Sequence, residues 1–480
     1  MVLLAACLAA CLALRPVSAS AAPAEAGMAD NRTEAVPPSQ DPFYREPDGL
    51  DGFRPGTILR HRRTPDAIAV FQETAERYVE ESWQMLYRTT DHRGRATVTA
   101  ATVLVPPRAD RSKLLSFQVS ADSPSGDCVP SFGFQRSSGA YPRLYSETMQ
   151  MQALLVEAAL SRGWLVVVPD ADGQKGAWPS VGLASSAVLD GIRAAKASAA
   201  FTRIGADPTV ALWGYSWGGA VSLGALGLQP AYAPDVAIAG AALGGAGNGM
   251  NREAAVFNYS LRHNKDIYAG YLPVYLLGLA AQVDGIKELI EAHVRPQYRD
   301  HIYLAGGQCI EANGRTYRNE DIVGMFDDPH FFQTVLRKVK LPAVNLTLPP
   351  KAPLFWYQWA HEAVTAEVSR DVQDFCSKGA TIEYQLETSP NIRHDICAFT
   401  RAPAALRWLD GIMAGRPPRP GCSNSSFLFK GAADPDFAAL YSPHLQFRLG
   451  QYLRREEGYF DRQELQAVNS SRTSMTGTGH

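Results

Sequence analysis

Val210-Ala211-Leu212-Trp213-Gly214-Tyr215-Ser216-Trp217-Gly218-Gly219-Ala220 decides how this chain is read. An apolar run ends at a glycine, carries a serine at the centre of Gly-x-Ser-x-Gly, and passes into small residues. The pattern predicts a buried strand, a tight turn and a helix. Such a turn is sharp and strained, so the residues flanking it must be small. Gly214 and Gly218 meet that demand, and Ser216 is lifted into the open at the end of the strand. The helix that follows points its free N–H groups toward the serine, which places the backbone N–H of Trp217 to hold an oxyanion. A glycine-rich turn without chemistry would share this pattern, so the partners of the serine have to be sought elsewhere in the chain.

Working outward, residues 164–168 are a continuous apolar, β-branched run, as in a strand buried on both faces. Pro169-Asp170-Ala171-Asp172-Gly173 ends it, and residues 184–201 form an alanine-rich helical stretch. Upstream, residues 83–89 and 97–105 read as paired strands around Asp91-His92-Arg93-Gly94, and 114–119 as another strand. Downstream, residues 236–243 read as a strand closed by Gly244-Gly245. Strand and helix in alternation predict an α/β fold with a mostly parallel central sheet and helices on both faces. Between residues 246 and 344 the strand rhythm stops. Helical patterns at 272–279, 286–294 and 331–339 predict an inserted helical cap over 246–344. Strands resume at 354–358 and 381–386, and a helix is expected over 402–413. The core is thus expected in two parts, 41–245 and 345–422, followed by a tail over 423–480 rich in Arg and Tyr.

Composition bounds the rest. The chain has 480 residues, 46% apolar and 20% charged, ample for a large core in two or three domains or in one domain with insertions. Lys and Arg (46) nearly balance Asp and Glu (48), which argues against a nucleic-acid partner. Residues 2–14 are apolar, and Val17-Ser18-Ala19 fits a small-residue cleavage pattern, so residues 1–19 read as a signal peptide. That run is too short to span a bilayer, and a secreted, soluble protein is expected. Residues 20–40, rich in Ala and Pro, are expected to be disordered. Once Cys7 and Cys11 leave with the signal, Cys128, Cys309, Cys376, Cys397 and Cys422 predict two disulfides and one free thiol. No Cys-x-x-Cys or clustered His/Cys set points to a metal. Sequons stand at Asn31, Asn258, Asn345, Asn424 and Asn469.

A nucleophilic serine needs a histidine base, and the base needs an acid to orient it. Where the serine sits on a strand-to-helix elbow, the order along the chain is serine, acid, histidine. His394, in the loop 389–395 between the last predicted strand and the final helix, is the expected base. The acid should follow the strand at 354–358. That loop reads Trp359-Ala360-His361-Glu362-Ala363, with no Asp, and Glu362 is the nearest carboxylate. Asp395 adjoins the base, and Asp371 and Asp374 read as exposed faces of a helix.

Several further segments carry a resemblance: Asp41-Pro42-Phe43-Tyr44, Pro55-Gly56-Thr57-Ile58-Leu59-Arg60, Leu86-Tyr87-Arg88-Thr89-Thr90-Asp91, Ser116-Phe117-Gln118 with Asp122-Ser123, Val188-Leu189-Asp190-Gly191-Ile192-Arg193, and Cys376 with Gly379-Ala380. With these, residues 41–422 resemble the secretory lipase family, the α/β-hydrolases of Candida antarctica lipase A type. The resemblance implies an α/β-hydrolase fold whose helical cap shields the serine and shapes an acyl-chain tunnel. It implies hydrolysis of acylglycerols and related carboxylic esters without metal or cofactor. Ser216 matches the nucleophile and His394 the base. Asp122 matches an aspartate at the oxyanion hole, beside the N–H of Trp217. Cys128–Cys309 and Cys376–Cys422 match the family disulfides, which leaves Cys397 as the odd thiol. Three departures stand out. An ungapped reading puts His361 on the acid-loop Asp and Glu362 on the Glu that follows it. Trp217 stands where relatives carry a small or polar residue. Asp170-Ala171-Asp172-Gly173 stands for Asp-His-Glu-Gly.

The leading expectation is a secreted, monomeric ester hydrolase of lipase type, with Ser216, His394 and Glu362 as its triad and a lipid or ester at a lipid–water interface as its substrate. A second reading, from a different class, is a catalytically impaired relative that binds lipid or a partner through the cap groove. Its motive is His361, since loss of the acid costs on the order of 10⁴ in turnover. A serine peptidase is a third reading, but no β-rich N-terminal stretch is long enough for a propeller.

Overall fold

The computed structural model describes residues 34–441 and 446, except 72, 76–77, 248–256, 258–259, 263, 266–267, 340–345, 347, 363, 391, 432–433 and 442–445. The expected signal peptide and most of the expected tail lie outside the described residues.

The apolar runs become strands of one ten-stranded sheet. In chain order these are β1 Ile58–Arg63, β2 Glu81–Thr90, β3 Ala96–Val105, β4 Asp110–Gln118, β5 Trp164–Pro169, β6 Thr209–Tyr215, β7 Gly240–Gly244, β8 Leu354–Trp359, β9 Ile382–Glu387 and β10 Cys422–Phe427. Their spatial order is β1-β2-β3-β5-β4-β6-β7-β8-β9-β10. The pairs β1/β2, β2/β3 and β3/β5 are antiparallel. From β5 onward every pair is parallel. Gln118 pairs with Gly214, Tyr215 with Gly244, Gly244 with Tyr357, and Trp359 with Glu387. The carboxyl ends of five neighbouring strands are thereby level, and open parallel sheets bind ligands beyond that edge.

Successive side chains of a strand point to opposite faces, so each central strand feeds two cores. Leu114, Leu165, Val167, Val210 and Leu212 enter one core, covered by α2 (Val181–Ala197) and α3 (Trp217–Tyr232). Leu115, Val166, Val168, Ala211 and Trp213 enter the other, covered by α1 (Glu147–Leu160) and α10 (Ala402–Met413). Between β7 and β8 come α4 (Tyr271–Ala280), α5 (Ile286–His293), α6 (Ile310–Thr316) and α7 (Phe331–Lys338). Their buried Leu272, Leu276, Ile290, Phe331 and Val335 continue the first core. After β8 and β9 come α8 (Thr365–Ser377) and α9 (His394–Thr400). No helix among the described residues is long and apolar enough to cross a membrane.

Two of the family-like segments are structural anchors. Buried Asp190 accepts from Thr89 Oγ1 (2.8 Å) and Tyr232 OH (2.7 Å) and pairs with Arg193, so one carboxylate joins β2, α2 and α3. Asp41 accepts from Phe43 N (2.9 Å) and pairs with Arg62, whose guanidinium lies 4.1 Å from the Phe43 ring centroid.

Two sequence expectations are corrected. Residues 34–40, expected within a disordered segment, are folded onto the domain. Ala35 is buried, and its N–H reaches Ser137 Oγ (3.1 Å), while Ser39 N reaches Asp127 Oδ1 (2.7 Å). These contacts are long-range and leave no local pattern. The sheet also continues past residue 422. Cys-Ser-Asn-Ser-Ser-Phe forms edge strand β10, held by backbone pairing to β9 with every side chain but that of Phe427 exposed, so no apolar alternation marks it. Beyond it Phe437 and Tyr441 pack into the second core.

Disulfides join Cys128 to Cys309 and Cys376 to Cys422, and Cys397 is a buried free thiol. The first bond spans 181 residues and ties the loop beyond β4 to the start of α6. Removing it as Cys128→Ala with Cys309→Ala is expected to cost roughly 2–4 kcal/mol, read as a lower midpoint in chemical denaturation. An unchanged midpoint would show that the bond adds no stability.

Candidate active site

Ser216 stands between β6 and α3 at φ 58° and ψ −125°. Two close approaches make this turn possible. A Cβ on Gly214 would collide with the Gly218 carbonyl oxygen, and one on Gly218 with that of Gln118. Ser216 N donates to Gly244 O (2.8 Å), which fixes the turn to the end of β7.

His394 is the first residue of α9, and its Nε2 lies 2.7 Å from Ser216 Oγ. Its Nδ1 is hydrogen-bonded to Glu362 Oε1. The other carboxylate oxygen, Oε2, accepts from Gln358 Nε2 on β8. Serine, imidazole and carboxylate thus form one hydrogen-bonded line. The loops that carry Glu362 and His394 are also tied together. Ala360 N donates to Glu387 O (2.8 Å), and Trp359 Nε1 donates to Ser389 O (3.0 Å). Buried Glu387 in turn accepts from Ser389 N (2.9 Å) and Ser389 Oγ (2.6 Å). Behind His394, Tyr215 OH donates to the His394 carbonyl, and its ring centroid lies 5.0 Å from the imidazole.

The neighbours of Glu362 and His394 are turned elsewhere. His361 is exposed, with Nε2 3.4 Å from Thr388 O and its ring packed edge-on against Trp359. Asp395 pairs with Arg393 (2.9 Å), and Asp374 on α8 with Lys378 (2.6 Å).

Asp122 lies in the loop after β4 at φ 47°. Trp217 opens α3, where a backbone N–H has no acceptor within the helix. Its indole is buried, and Nε1 donates to Asp172 Oδ1 (2.7 Å). The ring meets Trp178 edge-on at 6.3 Å, and Trp178 meets Tyr275 of α4 at 5.9 Å. A large residue fits after the serine because its side chain turns inward to this carboxyl and these rings. Sequence reasoning missed Gln358, Tyr215 and Asp172 as partners of the site. Of these only Gln358 carried a signal, as a polar side chain in an otherwise apolar strand.

Burial, opposed by the indole bond and reinforced by the charges of Asp122 and Asp170, raises the Asp172 carboxyl from 3.8 to about 8. Burial likewise raises Asp170 to about 7, although Ser131 N (2.9 Å) and Ser131 Oγ (2.6 Å) donate to it. Over that window for Asp172, the folded state holds a proton that the unfolded state has released, so its contribution to stability falls as pH rises. Asp172→Asn keeps an oxygen for the indole and removes this titration. Its thermal midpoint is expected to fall less than that of the natural chain between about pH 5 and about pH 8, as read by calorimetry. Equal slopes would mean that Asp172 does not carry the effect.

The sequence profile of the secretory lipase family matches residues 141–421. Lipase A of Arthroderma benhamiae is 35% identical over 407 residues, covering 82% of this chain and 83% of that protein. Lipase 10 of Candida albicans is 30% identical over 415 residues, covering 82% of this chain and 86% of that protein. Among solved structures, Candida antarctica lipase A is similar in fold, with a TM-score of 0.70 at 23% identity over 89% of this chain and 97% of that one. Its closed state gives 0.68 at 23% identity, over 85% and 95%. The sheet, its covering helices and these matches together make the chain an α/β-hydrolase that belongs to the secretory lipase family.

Proposed function

We propose that the protein is a secreted lipase that cleaves carboxylic ester bonds of triacylglycerols and related lipids through an acyl-enzyme on Ser216. The observation that carries the reading is the line from Ser216 Oγ through His394, 2.7 Å away, to Glu362. Ser216 Oγ attacks the ester carbonyl carbon while its proton passes to His394 Nε2. The carbonyl electron pair moves onto oxygen, and the resulting oxyanion is held by the backbone N–H groups of Trp217 and Asp122. As the tetrahedral intermediate collapses, the alcohol leaves with the proton from His394. Water then attacks the acyl carbonyl and gives a proton to the same nitrogen. Collapse returns that proton to Ser216 and frees the acid. Glu362 holds the Nδ1–H tautomer and stabilises the imidazolium at each step. The impaired-relative reading rests on His361, and the hydrogen bond of Glu362 to His394 favours the catalytic one.

Residues 246–344 act in this reading as a cap over the serine, with α4 meeting the site through Tyr275, Trp178 and Trp217. The apolar N-terminal run and the two disulfides support secretion. Of the five sequons, Asn424 lies among the described residues, exposed on β10 and open to a glycan.

Hydrolysis of a short-chain and a long-chain p-nitrophenyl ester by purified variants tests the proposal. Ser216→Ala is expected to lose on the order of 10⁶ in kcat, and Glu362→Gln about 10³- to 10⁴-fold. His361→Asp is expected to stay within about threefold of the natural chain, since substitutions at exposed sites are usually near neutral. A natural chain no more active than Ser216→Ala, and rescued by His361→Asp, would instead establish the binding role.

A further inference from the structure

We infer that Ser120 is a positioning residue for the oxyanion hole, supplying from a neighbouring strand end the helix cap that the nucleophile cannot give its own helix. The inference rests on the reading of Ser216 as nucleophile and of the Trp217 N–H as an oxyanion donor.

The first N–H groups of a helix have no acceptor within it, and the side chain at the N-cap position ordinarily takes the second or third of them. The N-cap of α3 is Ser216, and its side chain makes no capping bond. Its Oγ is directed to His394 Nε2 instead, at 2.7 Å. A serine engaged with its base is lost as a cap. The second helical N–H, that of Gly218, goes to Ser120 Oγ (3.0 Å). The same hydroxyl donates its proton to the Tyr215 carbonyl oxygen (2.7 Å). One side chain thus grips the backbone on both sides of Ser216, before and after its strained dihedrals.

Ser120 is itself held. It is buried, its N–H donates to Gln152 Oε1 (2.9 Å), and its carbonyl accepts from Gln152 Nε2 (3.1 Å). Gln152 belongs to α1, on the far side of the elbow from α3. Two residues beyond Ser120 stands Asp122, the other proposed contributor to the hole. The Ser120 hydroxyl therefore joins the loop that carries one oxyanion donor to the turn that carries the second. It fixes their separation, and with it the fit to a tetrahedral oxygen.

The test compares Ser120→Ala, Ser120→Cys and Ser216→Ala with the natural chain on p-nitrophenyl butyrate in solution. Inactivation by diethyl p-nitrophenyl phosphate, which also builds negative charge on an oxygen in the hole, is followed alongside. Ser120→Ala is expected to lower kcat about 10- to 100-fold with KM within about twofold, and to slow inactivation in parallel. A loss of thermal midpoint with kcat and inactivation rate unchanged would mean that Ser120 only supports the fold, and would overturn the inference. If Ser120→Ala does not fold, the near-isosteric Ser120→Cys decides, because its thiol is a weak donor and acceptor. Lowered kcat at constant KM then supports the inference, and natural kcat overturns it. Ser216→Ala separates the two readings. Activity retained there sinks the nucleophile assignment and this inference with it. Activity abolished there but unchanged in Ser120→Ala sinks the inference alone.

Discussion

A serine at φ 58° occupies backbone space that costs of order 1–3 kcal/mol, and only its surroundings can offset that cost. The architecture around Ser216 follows from the constraint. β6 and α3 must cross closely enough that Gly214 and Gly218 have no room for a side chain. β4 must end beside the turn, because the Gln118 carbonyl lies against Gly218. β7 must end level with it, to accept from Ser216 N. The parallel register that aligns these strand ends is therefore what keeps Ser216 in its conformation, as well as what builds the sheet.

Much of this was legible in the sequence because the informative residues lie in buried, locally patterned segments. The runs that became β5 and β6 read as strands buried on both faces. Ser216 and His394 could be placed by turn chemistry and chain order. Glu362 was harder. Counting residues against an Asp-Glu pair assigns the acid position to His361, but residue counting does not see side-chain reach. A glutamate one residue later is one methylene longer, and it meets the imidazole. Elements without an amphipathic period were missed. Almost every residue of α1 from Met149 onward is buried, so no polar face marks it as a helix. β1, Ile-Leu-Arg-His-Arg-Arg, has only partly buried and exposed positions, and four of its six residues are basic, so no apolar alternation marks it. Ser120 is a small polar residue whose role exists only in three dimensions.

The departure at Trp217 changes how the first turn of α3 is held. A small residue there would leave the first turn without a side-chain anchor of its own. Here the indole reaches Asp172 and stacks edge-on into Trp178, so the turn is also fixed through a side chain. The carboxyl that receives it is buried, and burial favours its neutral form. In the proposed mechanism, a neutral group is the better neighbour for a site that develops negative charge on oxygen. The same wall leads outward to Tyr275, which links the immediate surroundings of the serine to the helices inserted between β7 and β8.

In the proposed mechanism, the spacing of the reacting groups along the chain also orders events in time. Ser216 precedes His394 by 178 residues, and Cys128 precedes Cys309 by 181. While the chain is being synthesised, the elbow can form once β7 has emerged, yet it has no base, no acid and no covalent tie at that stage. In the proposed mechanism the line from Ser216 to His394 and Glu362 is complete only once the chain has been made past β9.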